Sequence, residues 1–135
     1  MKRIASFIAA IAMIAASTSA FADGALAIGQ SKDPNHGLAI GMVGGASSGK
    51  TASRDALQEC KTSDVKARTL CRVVKVYSNQ CAAIAMDPRD GTPGFGWSVA
   101  KTEAAASKQA LANCKATAGK GRANACRVAG TSCDS

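Results

Sequence analysis

Short apolar runs alternate with polar turns along this chain, and the alternation is written twice. Ala25 to Gly29 and Leu38 to Val43 are apolar runs separated by Ser31-Lys32-Asp33-Pro34-Asn35. Ala82 to Met86 and Trp97 to Ala100 are separated by Asp87-Pro88-Arg89-Asp90-Gly91. Two apolar runs joined by such a turn predict an antiparallel hairpin. Behind each hairpin the period changes. Ala52, Ala56 and Cys60 recur at every fourth position, as do Ala106, Ala110 and Cys114, with Leu57 and Leu111 beside them. That spacing places each trio on one face of a helix. Ser48 and Thr102 are N-cap candidates, and Glu103 follows Thr102 where negative charge suits the helix dipole. Each helix leads into a polar, basic loop, Lys61 to Leu70 or Lys115 to Ala125, and then into Cys-Arg-Val. A last strand follows, marked in the first copy by Val74, Val76 and Tyr77 and shorter in the second.

The order strand, strand, helix, strand therefore occurs at 24–80 and again at 81–135. Neither copy is long enough to bury a core alone. The predicted fold class is α+β: two pseudo-symmetric strand-strand-helix-strand repeats packed as one disulfide-stapled domain with an antiparallel sheet. Aligning the copies sets Leu38 opposite Trp97. It also makes Gly44 to Thr51 a small insertion in the scaffold, expected to be a Gly/Ser-rich mobile loop.

Residues 1–22 carry the marks of an export signal. Lys2 and Arg3 precede the uncharged run Ile4 to Ala16, and Ala20-Phe21-Ala22 is a small-x-small cleavage site. No second long apolar run follows, so no membrane span is expected after cleavage. All six cysteines fall in the exported part, and an even count in a small exported chain predicts three disulfides. Each helix ends in a cysteine and each last strand starts with one. Symmetry among the possible pairings selects Cys60 with Cys71 and Cys114 with Cys126. Cys81 and Cys133 remain, read as equivalent positions whose bond ties the two halves together. The expected compartment is the periplasm or the cell exterior. A metal site is not expected: there is no CxxC pair, and His36 is the sole histidine.

The chain carries +8, and removing Lys2 and Arg3 leaves +6 on residues 23–135. Lys61, Lys66, Arg68 and Arg72 crowd one post-helical loop, and Lys115, Lys120, Arg122 and Arg127 crowd its counterpart. These eight are the candidate binding residues for an anionic partner, either an envelope polymer or an acidic protein. Nucleic acid is not expected, because aromatic stacking platforms are scarce. The segment Gly44-Gly45-Ala46-Ser47-Ser48-Gly49-Lys50-Thr51 fits GxxxxGK[ST]. In a nucleotide site such a loop cradles phosphates. A chain of this length does not hold the parallel sheet that such a site is built on, so no nucleotide and no cofactor are expected. No catalytic constellation appears, and His36, between Asn35 and Gly37, reads as a turn residue. The expectation is a non-catalytic binding module with a basic surface. The alternatives are a secreted inhibitor or effector acting on another protein, and a cryptic hydrolase.

One set of motifs resembles a known family. Ala83-Ile84-Ala85, Gly96-Trp97, the stretch Ala106 to Cys114, Cys126-Arg127-Val128 and Cys81 to Ala85 look like the domain-of-unknown-function family 4189. The resemblance implies a small exported bacterial protein. Some mycobacterial members are similar to secreted factors that act on a host. It brings no activity and no catalytic residues.

Overall fold

Strand formation follows the apolar runs, with two residue sizes alternating along them. The computed structural model describes residues 22–134; the export segment expected at 1–22 lies outside these, Ala22 excepted. The first half consists of β1 (Asp23–Gln30), β2 (Leu38–Ala46), α1 (Gly49–Lys61) and β3 (Arg72–Ser78). The second consists of β4 (Cys81–Met86), β5 (Phe95–Ala100), α2 (Glu103–Thr117) and β6 (Arg127–Cys133). Each half makes one three-stranded antiparallel sheet with its first strand central, ordered β2-β1-β3 and β5-β4-β6. The fold is α+β, as expected, but with two sheets where the sequence suggested one. The last strand of the second half equals β3 in length, seven residues each, rather than being shorter.

Side-chain size decides what covers each face. In β1 the small residues Ala25 and Ala27 pack with Ala52, Ala56 and Cys60 of α1. The larger Leu26 and Ile28 point the other way and meet Ile84 of β4, with Ile40, Met42, Val74, Phe95 and Trp97 around them. In β4, Ala83 and Ala85 pack with Ala106, Ala110 and Cys114 of α2. The layers are therefore helix, sheet, sheet, helix, and the two halves share the middle core. Small residues let each helix lie close to its sheet. The closest approaches are at glycine: a Cβ on Gly41 would stand 1.8 Å from the Ala56 carbonyl oxygen, and one on Gly96 would stand 2.3 Å from the Cys114 nitrogen. The expected caps are present. Ser48 Oγ accepts from the Thr51 N–H at 3.2 Å, and Thr102 Oγ1 accepts from the Ala105 N–H at 3.2 Å.

Three further expectations need correction. The first concerns register. Gly41 pairs with Ala27 as Gly96 pairs with Ala85, and Met42 pairs with Leu26 as Trp97 pairs with Ile84. Met42, not Leu38, is therefore the counterpart of Trp97. The second concerns Gly44 to Thr51, which is not an inserted mobile loop. Gly44, Gly45 and Ala46 belong to β2, Gly49 opens α1, and only Ser47 and Ser48 lie between. The extra length is one residue, absorbed in a β-bulge where the pairing shifts between Asp23 and Ala25. Gly45 takes φ +72 in that bulge, a conformation suited to glycine.

The third correction concerns sulfur. The three expected pairs are all present: Cys60–Cys71, Cys81–Cys133 and Cys114–Cys126. Cys81 and Cys133, however, are directly paired neighbours on β4 and β6 and do not bridge the halves. The same place in the first sheet holds Asp23 opposite Ser78, whose hydroxyl bonds the Asp23 carboxylate. Residue identity had suggested the alignment of Cys81 with Cys133, but strand pairing sets the correspondence. What joins the halves is the middle core and a two-residue connection, Asn79-Gln80, with Asn79 at φ 54. Gln80 donates its N–H to Asp134 Oδ1 at 3.0 Å, and its carbonyl accepts from the Asp134 N–H at 3.2 Å. Tyr77 adds a further tie. Its ring covers Gly24, and its hydroxyl lies 3.2 Å from the Val43 carbonyl and 3.3 Å from the Ser132 carbonyl. Burial pushes the Tyr77 phenol pKa up. Among the described residues no helix is long and apolar enough to cross a membrane.

Candidate functional site

Antiparallel pairing brings four loops to one end of the molecule. β1 runs into the 31–37 turn, and β3 starts beside that same strand end, since Arg72 pairs with Ile28. In the second half Arg127 pairs with Met86, which sets the 115–126 loop beside the 87–94 turn. The two turns then meet, a Cβ on Gly91 falling 2.8 Å from Asn35 Oδ1. Segments 31–37, 61–72, 87–94 and 115–127 hold ten Lys/Arg against four Asp, a net +6 with His36 neutral. The rest of 23–135 holds five basic and five acidic residues, so its net charge is zero. The whole excess of positive charge lies at the loop end.

Between the turns is a cleft of about 780 Å³. Lys66 reaches it from the first post-helical loop, together with Lys32 and Arg89 from the turns, and Asp64 and Asp90 stand on the same walls. Lys32 and Arg89 were not among the sequence candidates. Their turns were fully explained by Pro, Asn and Gly, and only the meeting of the two turns gives these cations a common site.

The eight sequence candidates do not behave alike. Arg122 is engaged inside the fold: its Nε donates to Asp87 Oδ2 at 2.8 Å and its Nη2 to Asp87 Oδ1 at 2.7 Å. Arg127 donates Nη1 to the carbonyls of Asn124 (2.6 Å) and Cys126 (2.8 Å), and Arg68 reaches the Ser63 carbonyl at 3.5 Å. Among the described residues none of the seven candidates other than Arg122 has a carboxylate partner. Lys61, Lys66, Arg72, Lys115 and Lys120 are exposed.

Asp87 is the pivot of its turn. It is 6% exposed and accepts the Arg89 N–H as well as the Arg122 fork. The Arg122 hydrogen bonds hold its carboxyl below the usual carboxylate range, with the Arg89 N–H lowering it further against the opposing effect of burial. A carboxyl depressed in the folded state stabilises the fold above the ordinary carboxylate pKa. That contribution is lost as pH falls through the lower folded value. Asp87→Asn is therefore expected to melt below wild type at neutral pH, with the gap closing in strong acid; thermal unfolding across pH measures it. A constant gap would mean that the pair contributes shape alone.

His36 lies in the first turn. Its Nδ1 is 3.0 Å from Ser31 Oγ and its Nε2 is 3.5 Å from Asp33 Oδ2. Asp33 caps that turn by accepting the Asn35 N–H, and this bond holds its carboxyl below the usual range. These contacts account for His36 as turn structure. Among the described residues no group of His, Cys, Asp and Glu is arranged to hold a metal.

A family model described as Domain of unknown function (DUF4189) matches residues 23–133. The chain belongs to this family. The match to DUF4189 spans every strand and both helices described above. No curated protein and no solved structure matches the chain. Membership of DUF4189 brings no activity with it, so the surface itself has to carry the functional reading. Three disulfides suit a DUF4189 domain that folds outside a reducing cytosol.

Proposed function

We propose that this DUF4189 domain is a non-catalytic binding module of the periplasm or cell exterior that holds an anionic envelope polymer against its loop end. The observation that supports this reading is the segregation of charge, +6 at one end and zero over the remainder. Random scatter of surface lysines would serve solubility equally well without this separation. The cations extend over four loops instead of converging on one point, which suits a chain-like partner better than a compact one. Loops closed by two disulfides present these charges from a fixed base, which lowers the ordering cost of binding.

Labelled poly-L-glutamate provides the test, read by fluorescence anisotropy. Saturable binding that weakens as salt is raised is expected. Lys61/Lys66/Arg72/Lys120→Ala should lose about tenfold in affinity, since each exposed charge contributes a few tenths of a kcal/mol. Lys101/Lys108→Ala, away from the loop end, should bind as wild type does. Equal losses in both variants, or none in the first, would remove the loop end as the site.

A further inference from the structure

The two flanks of the sheet sandwich differ although they are built on the same pairing scheme. On one flank β2 lies over β6. There Met42 faces Gly130, where an added Cβ would stand 3.3 Å from Met42 Cε, and a Cβ on Gly44 would stand 2.2 Å from the Cys133 carbonyl oxygen. That flank is closed. On the other flank β3 faces β5. Trp97 occupies the place of Met42, and Lys75 occupies the place of Gly130, since Lys75 pairs with Leu26 as Gly130 pairs with Ile84. Here a groove of about 560 Å³ runs along β5, lined also by Gly96, Ser98 and, from α2, Asn113 and Thr117. Phe95, Trp97 and Val99 alternate along β5 and form one wall, while Lys75 stands opposite and Gln30 at one end. Trp97 is the only tryptophan in the chain, and both it and Phe95 are half-buried.

We propose that this groove binds the sugar rings of an acidic polysaccharide built of equatorially substituted pyranoses. A pyranose with equatorial substituents has a flat face of C–H groups that covers an indole ring, while its rim of hydroxyls needs amide and ammonium partners. An aromatic wall with a few polar side chains supplies both. The groove also opens into the cleft at the positively charged loop end, where Lys32, Lys66 and Arg89 stand among Asp64, Asp87 and Asp90: Gln30, Phe95 and Thr117 line both. A glycan several rings long that stacks one ring on Trp97 therefore extends past Phe95 into the cleft that Lys66 and Arg89 line. This inference rests on the anionic-polymer reading and names its chemistry.

An extended peptide fits less well. Strand addition at β5 needs the free edge of its backbone. That edge is already occupied: Thr117 Oγ1 bonds both the Phe95 N–H (2.9 Å) and the Phe95 carbonyl (2.7 Å), and Asn113 Nδ2 donates to the Trp97 carbonyl at 2.9 Å.

The single tryptophan makes the test direct. The disulfide-bonded protein is titrated with carboxymethylcellulose oligomers, with neutral cellohexaose and with poly-L-glutamate, following Trp97 emission and anisotropy together. The carboxymethylated glucan should shift Trp97 emission saturably, and Lys75→Met and Gln30→Ala should each weaken it severalfold. Trp97→Ala should weaken glucan binding by about tenfold or more, read by anisotropy, while poly-L-glutamate affinity stays within about twofold. Because Trp97 packs against the middle core, the two exposed substitutions keep the test decisive if Trp97→Ala fails to fold. If glucan and poly-L-glutamate bind alike and Trp97 emission does not move, the groove proposal is overturned and the anionic reading stands. If poly-L-glutamate alone shifts the emission, the groove takes peptide and the proposal is likewise overturned. If both glucans shift the emission equally and poly-L-glutamate does not bind, the groove takes neutral sugar, and the acidic-glycan proposal falls with the anionic reading. If no probe binds, both fall.

Discussion

A chain in which Cys60, Cys71, Cys114 and Cys126 are all replaced by Ala is expected to lose cooperative folding at about 37 °C. The two bonds close loops of 11 and 12 residues. Each closure contributes roughly 3 kcal/mol by restricting the unfolded chain. They lie in different halves and share no loop, so the losses add to about 6 kcal/mol. A domain of this size has a total stability of roughly 5–15 kcal/mol. The core offers little reserve, because its helix-facing layers are built from alanine and from the same cysteines, with Cys60 and Cys114 fully buried. Circular dichroism on heating and in urea gives the answer. A sharp transition within a few degrees of wild type would show that packing alone holds the fold.

Gly41→Val and Gly96→Val are expected to destabilise by at least about 3 kcal/mol each. The reason is geometric. At Gly41 the added carbon meets the Ala56 carbonyl oxygen at 1.8 Å and the Cys60 nitrogen at 2.7 Å; at Gly96 it meets the Cys114 nitrogen at 2.3 Å and the Ala110 carbonyl oxygen at 2.5 Å. These neighbours are helix backbone, which no rotamer change can move aside. The helix has to lift from its sheet, and its last-turn cysteine carries a disulfide that resists the shift. Gly45→Ala is the control. Nothing lies near its Cβ, and the cost is confined to the φ of +72. Urea midpoints for the three variants separate the two mechanisms, and a similar loss in all three would refute the contact argument.

Much of this architecture is legible in the residues because small side chains at every fourth position have few uses besides a close helix-sheet contact. The stripes Ala52-Ala56-Cys60 and Ala106-Ala110-Cys114, both N-caps and all three disulfide pairs are present as expected. The doubling of the sheet was not legible as an alternation of polar and apolar residues. β1 is buried on both faces, so Ala25, Leu26, Ala27 and Ile28 read as one continuous apolar run. The information was in size: alanine faces the helix and the larger aliphatics face the other sheet. The candidate site was legible only in part. Two basic loops were visible in the sequence, but the capture of Arg122 by Asp87 depends on how a turn folds back onto a loop. The presence of Lys32 and Arg89 on the walls of the cleft that Lys66 also lines depends on two turns meeting across the molecule.

The seam at Asn79-Gln80 has a kinetic consequence. Two residues, one in a left-handed conformation and the other bonded twice to Asp134, leave no hinge about which the halves can open and shut. For the anionic polymer proposed above, the surface would then be in its final shape before contact, with no wait for a rare conformer. Capture of such a polymer would be set by collision and by the field of the charged end, and ionic strength would act on how fast it arrives far more than on how long it stays.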